Sequence, residues 1–337
     1  MAARDPVKGS IARLLAAWYR QGHRDLPWRE TSDPYRIWVS EIMLQQTRVQ
    51  TAIPYYQRFL ERFPTVAALA AADEDAVLAL WSGLGYYSRA RNLHEAAREI
   101  QARGGFPTSY SELRKLAGIG DYTAAAIASM AFGEPRAAVD GNVLRVVARV
   151  ANDASDTGSA KVREKFRAIA QAWMDRQDPA GFNQAMMELG ATICLPRNPL
   201  CQACPVSVRC RARQMGTAAG LPVKLRRHAA VHMDAVLLLV EDGGRVLLRR
   251  REAGARRMAG FWDLPAPENC AHLRPGRTIG EFRHTITHHR IRFTLRAART
   301  GPAFAAVPPF RWIKPREMGR IPLSTTARKA LRLAGIL

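Results

Sequence analysis

The feature that most constrains this chain of 337 residues is a cluster of four cysteines within one short stretch. Cys194, Cys201, Cys204 and Cys210 are separated by six, two and five residues. Four thiolates so close in sequence can surround one metal centre, and both a structural zinc ion and a 4Fe-4S cluster are held by four cysteines. The spacing therefore predicts a metal-binding loop over residues 194–210 and leaves the identity of the metal open.

The chain before and around this loop is predicted to be mostly helical, as residues 1–215. Apolar residues recur at helical spacing in eight segments, with glycine and proline between them. The segments are Ile11–Tyr19, Tyr35–Gln46, Ala76–Trp81, Ala90–Ile100, Tyr122–Phe132, Asn142–Val150, Val162–Met174 and Phe182–Ile193.

The pattern changes after a basic, small-residue stretch at 216–228, which we expect to be a linker. A Glu-Asp-Gly-Gly sequence at 241–244 is typical of a hairpin turn, and β-type patterns lie on both sides of it. The expected strands and the one expected helix are Val236–Val240, Arg245–Arg249, Ile291–Arg299 and Ala327–Ala334. We therefore expect a second, α+β domain over residues 229–337.

The formal net charge of +22 indicates a polyanionic partner. Residues 1–227 carry 31 basic and 21 acidic side chains, and residues 228–337 carry 20 and 8. Lysine and arginine that neutralise DNA phosphates release counterions, so a basic excess in both halves favours binding along one nucleic acid. An arginine-rich proteome would give the same excess, so charge alone does not decide.

The sequence gives no sign of a membrane or secretory protein. It has no uncharged apolar run of 18 residues, and Met1–Ser10 lacks the apolar core of a signal peptide. We therefore expect a monomer in the bacterial cytoplasm, associated with the nucleoid, where disulfide bonds are not expected.

An acidic residue, Glu41, lies within an apolar helical segment, Ile37–Thr47. Ile37 and Trp38 precede it by one turn and Leu44 follows by one turn, so its face of the helix is largely apolar. Burial would raise the pKa of such a carboxyl group and make it a general acid near neutral pH. The alternative is a buried glutamate neutralised by an arginine, and helical geometry alone does not separate the two.

Two glycines, Gly118 and Gly120, precede an alanine-rich helical segment. Glycine lets the backbone approach a phosphate closely, and the start of a helix presents free N–H groups to it. With the apolar Leu116 and Ile119, this pattern is typical of a helix–hairpin–helix motif over about residues 113–132.

A second acidic candidate, Asp140, stands immediately before the helical segment that begins near Asn142. An N-cap aspartate is the simpler interpretation. A carboxylate at a helix start can also face a ligand, so both roles stay open.

Taken together, these segments resemble the iron–sulfur branch of the helix–hairpin–helix DNA glycosylases, and within it the adenine DNA glycosylases of the MutY type. The resemblance covers essentially the whole chain. Its most specific pieces are Leu26–Arg29, Trp38–Thr47, Gly83–Tyr87, Asp140–Val143 and the 6–2–5 cysteine spacing. In this family that spacing holds one 4Fe-4S cluster, so the resemblance favours iron.

The resemblance also implies roles for single residues. Glu41 matches the acid that protonates N7 of adenine, and Asp140 matches the carboxylate that stabilises the oxocarbenium ion. Tyr122 and Asn142 match residues that support the sugar and Asp140. The remaining matches are to DNA-contacting residues: Gln46, Thr47 and Tyr86 beside the opened stack, and Leu26, Trp28 and Arg29 in the wall of the adenine pocket. The substrate implied is double-stranded DNA with adenine opposite 8-oxoguanine or guanine.

The C-terminal half resembles the Nudix-like domain that this family carries, with Gly260–Pro265 as its marker. Only Glu268 follows nearby, whereas a Nudix catalytic site needs several closely spaced glutamates, so pyrophosphatase activity is not expected. The family's lesion-reading loop aligns with Ile286, Thr287 and His288, of which we expect Thr287 and His288 to contact the lesion.

Two other functions compete with this interpretation. An endonuclease III-like glycosylase and lyase acting on oxidised pyrimidines needs a lysine nucleophile, where this chain has Tyr122. A non-catalytic iron–sulfur DNA-binding protein has no need of Glu41 on an apolar face. The sequence thus favours a monofunctional adenine glycosylase that hydrolyses the N-glycosidic bond.

Overall fold

A computed structural model describes residues 8–225, 229–252, 254–255, 258–270, 272–286, 288–301 and 304–337. The predicted order, a helical domain followed by an α+β domain, is confirmed. The helices of the first part are α1 Lys8–Gln21, α2 Pro34–Leu44, α3 Val49–Arg62, α4 Val66–Ala70, α5 Glu74–Trp81, α6 Ser88–Ala102, α7 Tyr110–Leu113, α8 Asp121–Phe132, α9 Gly141–Ala151, α10 Ala160–Trp173, α11 Pro179–Thr192 and α12 Arg211–Gln214.

The eight predicted helical segments all overlap observed helices, whereas α3 and the short helices α4, α7 and α12 lie outside those segments. Pro54 lies inside α3, where proline lacks the N–H that would donate to the preceding turn. Burial of Ala52, Tyr56 and Phe59 on one face outweighs that missing bond. None of the described helices is long and apolar enough to cross a membrane.

The second part contains a mixed six-stranded sheet. Its strands are β1 Val231–Asp242, β2 Arg245–Arg250, β3 Trp262–Asp263, β4 Leu273–Ile286, β5 His289–Thr300 and β6 Phe310–Ile313, and its one described α-helix is α13 Thr325–Leu333. The strand order is β3-β2-β1-β5-β4, with β6 on β2. β1 and β5 run parallel, and the other pairs are antiparallel.

The predicted hairpin turn joins β1 and β2. Asp242 pairs with Arg245, which leaves Gly243 and Gly244 as the two turn residues. Both have positive φ, 53° and 70°, the conformation that a two-residue hairpin turn of matching twist requires.

Residue contacts group the chain into two compact units that do not follow its order. The first unit comprises residues 1–56, 65–67 and 95–227, and the second comprises 57–64, 68–94 and 228–337. The second unit therefore contains α5 and the start of α6 together with the sheet.

The described part of the predicted linker is fixed to the first unit. Leu221 is buried, and its carbonyl accepts a hydrogen bond from Nε of Arg149 at 3.0 Å. The carbonyl of Val223 accepts from the N–H and the hydroxyl of Thr157. Residues up to 225 thus belong physically to the helical part.

Candidate active site

A cavity of about 710 Å³ opens within the first unit. Eleven of the predicted site residues line it, namely Leu26, Trp28, Arg29, Glu41, Gln46, Thr47, Gly118, Gly120, Tyr122, Asp140 and Asn142. Tyr86 and His288 belong to the second unit, and Thr287 lies outside the described residues. One cavity therefore unites residues that are up to 116 positions apart in sequence, from Leu26 to Asn142.

Glu41 lies on α2 and is only 5% exposed. Its Oε2 accepts a hydrogen bond from the Tyr122 hydroxyl at 2.5 Å, across from the start of α8. Burial raises the pKa of Glu41 to about 7; the hydrogen bond from Tyr122 opposes that rise and the charge of Asp140 adds to it. The partner of Glu41 is thus a tyrosine and not an arginine, so the carboxyl group is available as an acid near neutral pH.

Asp140 is an N-cap residue that also faces the cavity. As the N-cap of α9 it accepts a hydrogen bond from the N–H of Val143 at 2.7 Å, and it also lines the cavity. Its second oxygen accepts from Nδ2 of Asn142 at 2.9 Å. Burial raises the pKa of Asp140, while these two donors act to lower it and so favour the charged form.

Arg145 holds the side chain of Asn142 in place through hydrogen bonds. Its Nη2 donates to Oδ1 of Asn142 at 2.8 Å and to the carbonyl of Gly190 at 2.6 Å, and its Nε donates to the carbonyl of Cys194 at 2.7 Å. Gly190 permits this close approach, because a Cβ atom there would lie 2.8 Å from Cβ of Asn142. The orientation of Asn142 beneath Asp140 therefore depends on the packing of α9 against α11.

Sequence analysis missed a second buried glutamate, Glu188 on α11, which is 2% exposed. Nη2 of Arg24 donates to it at 2.7 Å and Nη2 of Arg29 at 2.5 Å. Burial acts to raise the pKa of Glu188, but the hydrogen bonds and charges of the two arginines outweigh it and hold the pKa at about 2. The arrangement fixes Arg29 in the cavity wall; the sequence signal that could have revealed it is the same acidic residue among apolar neighbours that identified Glu41.

Gln184, also missed, lies one turn before Glu188 and lines the cavity. Its Oε1 accepts a hydrogen bond from the Tyr19 hydroxyl at 2.9 Å. The guanidinium of Arg29 lies 5.5 Å from the centre of the Tyr19 ring. Polar side chains, Gln184 and Arg29, thus line the cavity together with the apolar Leu26 and Trp28.

The predicted helix–hairpin–helix begins with only one turn of helix, α7, and continues into α8. Gly118 has a φ of 71°, which favours glycine, and Gly120 is the N-cap of α8. Asp121, in the first turn of α8, is bound by Arg114 at 2.6 Å and Arg167 at 3.1 Å. The start of α8 therefore presents backbone N–H groups beside arginine side chains, which suits a phosphate.

Two residues predicted to contact the opened base stack have unusual backbones. Gln46 has a φ of 59° and Tyr86 a φ of 50°, and non-glycine residues rarely adopt such values. Strained backbone of this kind concentrates at functional positions.

His288 directly follows the predicted lesion-reading Thr287. It is half-buried, its ring lies 4.1 Å from that of His289, and its carbonyl accepts from the N–H of Val231 at 2.9 Å. The structure places it between β4 and β5.

The four clustered cysteines line a second, small cavity of the first unit, between α9, α11 and the loop that precedes α12. Burial and the other thiols raise the pKa of Cys204 to about 11 and also raise that of Cys210. Nη1 of Arg149 lies 3.3 Å from Sγ of Cys194. In the described chain, no group of three or more His, Cys, Asp or Glu side chains is placed to hold a single metal ion.

Comparison with known proteins identifies two families along the chain. A profile described as HhH-GPD superfamily base excision DNA repair protein matches residues 39–171, and a NUDIX domain profile matches residues 235–333. The helical and the α+β parts are thus each similar to a known family.

Several similar proteins are adenine DNA glycosylases. The chain is 34% identical to the adenine DNA glycosylase of Homo sapiens over 400 aligned positions, which cover 95% of this chain and 73% of the human protein. It is 37% identical to the adenine DNA glycosylase of Buchnera aphidicola subsp. Schizaphis graminum, with coverage of 68% and 67%.

Solved structures match the helical part. A thermostable thymine-DNA glycosylase is 26% identical with a TM-score of 0.55, covering 62% of this chain and 97% of that one. Endonuclease III in a non-covalent DNA complex is 21% identical with a TM-score of 0.53, covering 64% and 99%, a likeness that shows the fold alone.

Proposed function

The chain belongs to the adenine DNA glycosylases, enzymes of the HhH-GPD base-excision repair superfamily, and on that premise we propose that it hydrolyses the N-glycosidic bond of adenine mispaired with 8-oxoguanine or guanine. The observation that carries the proposal is the pairing of Glu41 with Asp140 in one cavity. Burial raises the pKa of both carboxyl groups, to about 7 at Glu41, whereas at Asp140 the donors from Val143 and Asn142 oppose the rise. A carboxyl group that can hold a proton and a second one whose charged form is hydrogen-bonded are the pair that acid catalysis and charge stabilisation need.

The chemistry follows from these two states. The proton of Glu41 passes to N7 of adenine, and the bonding electrons of the glycosidic bond leave with the base. The carboxylate of Asp140 stabilises the positive charge that develops on the sugar. Water then adds to the sugar carbon, and the ionised Glu41 accepts its proton, which restores the acid.

A hydrolytic rather than a lyase reaction is supported by the nature of the cavity wall. None of the described residues that line the cavity is a lysine. A lyase needs an amine to form a Schiff base with the sugar, and Tyr122 instead uses its hydroxyl to hold Glu41. We therefore propose a monofunctional enzyme.

We also propose that Cys194, Cys201, Cys204 and Cys210 hold one 4Fe-4S cluster. The four thiols face one cavity, and burial raises the pKa of Cys204 and Cys210, so those two thiols need a cationic centre to stay ionised. Four thiolates could hold either a zinc ion or a 4Fe-4S cluster, and the 6–2–5 spacing, which resembles that of the iron–sulfur DNA glycosylases, favours the cluster. Such a cluster would tie α9 and α11 to the loop before α12.

Double-stranded DNA is the proposed partner of both units. The start of α8, with Gly118, Gly120 and Arg114, suits one phosphate, and the cysteine loop carries exposed arginines such as Arg197 and Arg209. Phosphate contacts carry no information about the lesion. We therefore propose that Thr287 and His288 in the C-terminal part read the base opposite adenine.

The test is single-turnover incubation with duplexes that contain adenine opposite 8-oxoguanine, opposite guanine or opposite thymine, with alkali added before analysis. We expect rapid adenine release from the first, slower release from the second and little from the third. Strand cleavage without alkali, together with a covalent protein–DNA adduct that borohydride traps, would instead indicate a lyase. Release of an oxidised pyrimidine without release of adenine would reject the proposed substrate.

The cluster has a separate test. Purified protein should contain about four iron atoms per chain and absorb visible light. The variant Cys201→Ser should lose iron, and Cys270→Ser, which changes the one cysteine outside the cluster, should retain it. Zinc without iron would refute the cluster.

A further inference from the structure

Tyr86 is an exposed aromatic side chain held in an unusual way. It is 47% exposed and has positive φ. The guanidinium of Arg89 lies 5.5 Å from the centre of its ring and 5.4 Å from that of buried Trp81. A guanidinium within reach of both rings attracts each of them by cation–π interaction, so Arg89 links the exposed Tyr86 ring to the buried Trp81 ring. An exposed ring linked in this way suits stacking against a nucleobase.

The loop that carries Tyr86 is closed by its own hydrogen bonds. The carbonyl of Gly85 accepts from Nη2 of Arg89 at 3.1 Å and from Nε1 of Trp81 at 3.3 Å. The N–H of Gly83 donates to the hydroxyl of Tyr87 at 3.3 Å. The two ends of the loop, at Ser82 and Tyr87, therefore determine where it points.

Both ends are attached to the C-terminal segment within the same compact unit. The hydroxyl of Ser82 donates to the carbonyl of Leu323 at 2.6 Å and accepts from Nε of Arg328 at 3.1 Å. The hydroxyl of Tyr87 lies 3.0 Å from Oγ1 of Thr325. Ser82 and Tyr87 are both buried, so these bonds are shielded from water.

The family-marker sequence Gly260–Pro265 completes the attachment. The ring of Phe261 is fully buried and lies 4.0 Å from that of Tyr87. Trp262 donates its N–H to the carbonyl of Pro322 and accepts from the N–H of Ser324. This segment therefore joins the Tyr87 ring to the chain that supplies Leu323 and Thr325.

We propose that Thr325 and Arg328 are positioning residues for Tyr86, which stacks against a base of the DNA substrate. The C-terminal part then has a second role beyond reading the opposite base, because it also sets the aromatic group that supports the opened stack. This inference rests on the proposed DNA substrate but not on which base is removed. It also implies that deleting residues 229–337 would disturb Tyr86 as well as remove the lesion-reading loop.

The test is a mutant cycle on full-length protein, measured as affinity for a duplex with a non-hydrolysable adenosine opposite 8-oxoguanine. Tyr86→Ala should weaken binding about tenfold by loss of one stacked base. The pair Thr325→Val and Arg328→Met should weaken it about fivefold in the wild-type background. In the Tyr86→Ala background the same pair should have no further effect, because its contacts act through Tyr86.

Two controls separate positioning from general damage. Arg332→Met changes an exposed arginine one turn further along α13 and should leave affinity unchanged. Thr325→Ser keeps the hydroxyl that Thr325→Val removes, so the serine variant should bind the duplex with wild-type affinity. If the paired variant unfolds, the cycle is measured with Thr325→Val alone, and thermal unfolding is followed for every protein.

Independent, multiplying losses in the cycle would overturn the proposal, and so would wild-type affinity in the paired variant. Cleavage plays no part in this measurement. If wild-type protein failed to release adenine from an ordinary duplex, the proposed function would fail while the affinity cycle could still be interpreted.

Discussion

Glu41 and Glu188 are two buried glutamates of the same helical unit, 5% and 2% exposed, whose surroundings have opposite effects. Glu41 meets a tyrosine hydroxyl, and burial raises its pKa to about 7. At Glu188 burial acts in the same direction, but Arg24 and Arg29 reverse the outcome and hold the pKa at about 2. Burial alone therefore does not decide the pKa of a buried glutamate; the charged or neutral character of its hydrogen-bond partners does.

The two glutamates also differ in their charge near neutral pH. Glu188 is permanently ionised near neutral pH and fixes Arg29 in the cavity wall. Glu41 can gain and lose a proton in the same pH range. In the proposed function, one glutamate contributes to structure and the other to chemistry, although both are acidic residues on apolar helices.

The largest expected effect is on activity, from Glu41→Gln. The variant keeps the shape of the side chain but cannot supply the proton, so single-turnover adenine release should fall at least a hundredfold. Duplex affinity should change little. Glu164→Gln, at an exposed glutamate on α10, is the matched control, and full activity in Glu41→Gln would reject the general-acid role.

The second effect is on stability, from Glu188→Gln. Removing this charge leaves Arg29, which is only 9% exposed, without its ion-pair partner. The free energy of unfolding should fall by about 3 kcal/mol, as for other broken buried pairs. Urea denaturation measures it, with Glu164→Gln expected to stay within about 0.5 kcal/mol of wild type. An unchanged free energy of unfolding would mean that the ion pairs of Glu188 with Arg24 and Arg29 do not stabilise the cavity wall.

The third prediction is that Glu41 and Glu188 make the free energy of unfolding depend on pH in opposite ways. The folded pKa of Glu41 is raised, so its contribution to stability is present below about pH 4.5 and is lost as pH rises to about 7. The folded pKa of Glu188 is lowered, so its contribution is present above about pH 4.5 and is lost as pH falls to about 2.

Stability differences between wild type and each glutamine variant should therefore change with pH in opposite directions. Across its window, Glu41 should account for up to about 3 kcal/mol. Glu188 should account for about 2 kcal/mol, because water screens the more exposed Arg24. Parallel pH profiles for the two variants would contradict the comparison.

The smallest effect is expected from Tyr122→Phe. The lost hydroxyl stabilises the ionised form of Glu41, so the pKa of Glu41 should rise further and the alkaline limb of the pH–rate profile should move to higher pH. The same hydrogen bond stabilises the carboxylate that Glu41 becomes as it gives up its proton, so its loss should slow adenine release about fivefold at neutral pH even though more of Glu41 is protonated. A profile that moves to lower pH would show that Tyr122 does not donate to Glu41.

The sequence by itself determined the helical and α+β parts, the hairpin at Gly243 and Gly244, and Glu41 as a buried acid. These features depend on local rules: the 3.6-residue period, the positive φ of a tight turn, and an acidic residue on an apolar helical face. The same rules failed at α3, where a local penalty at Pro54 was outweighed by burial.

Only the tertiary structure decided which buried glutamate has a raised pKa and which a lowered one. Glu188 carries the same local signal as Glu41, but its arginine partners lie more than 150 positions away in sequence. The tertiary structure likewise attached the Tyr86 loop to Thr325 and Arg328, 238 and 246 positions beyond the loop residues that they contact. The pKa of a buried group and the direction of a loop depend on partners in space, and a one-dimensional pattern does not contain those partners.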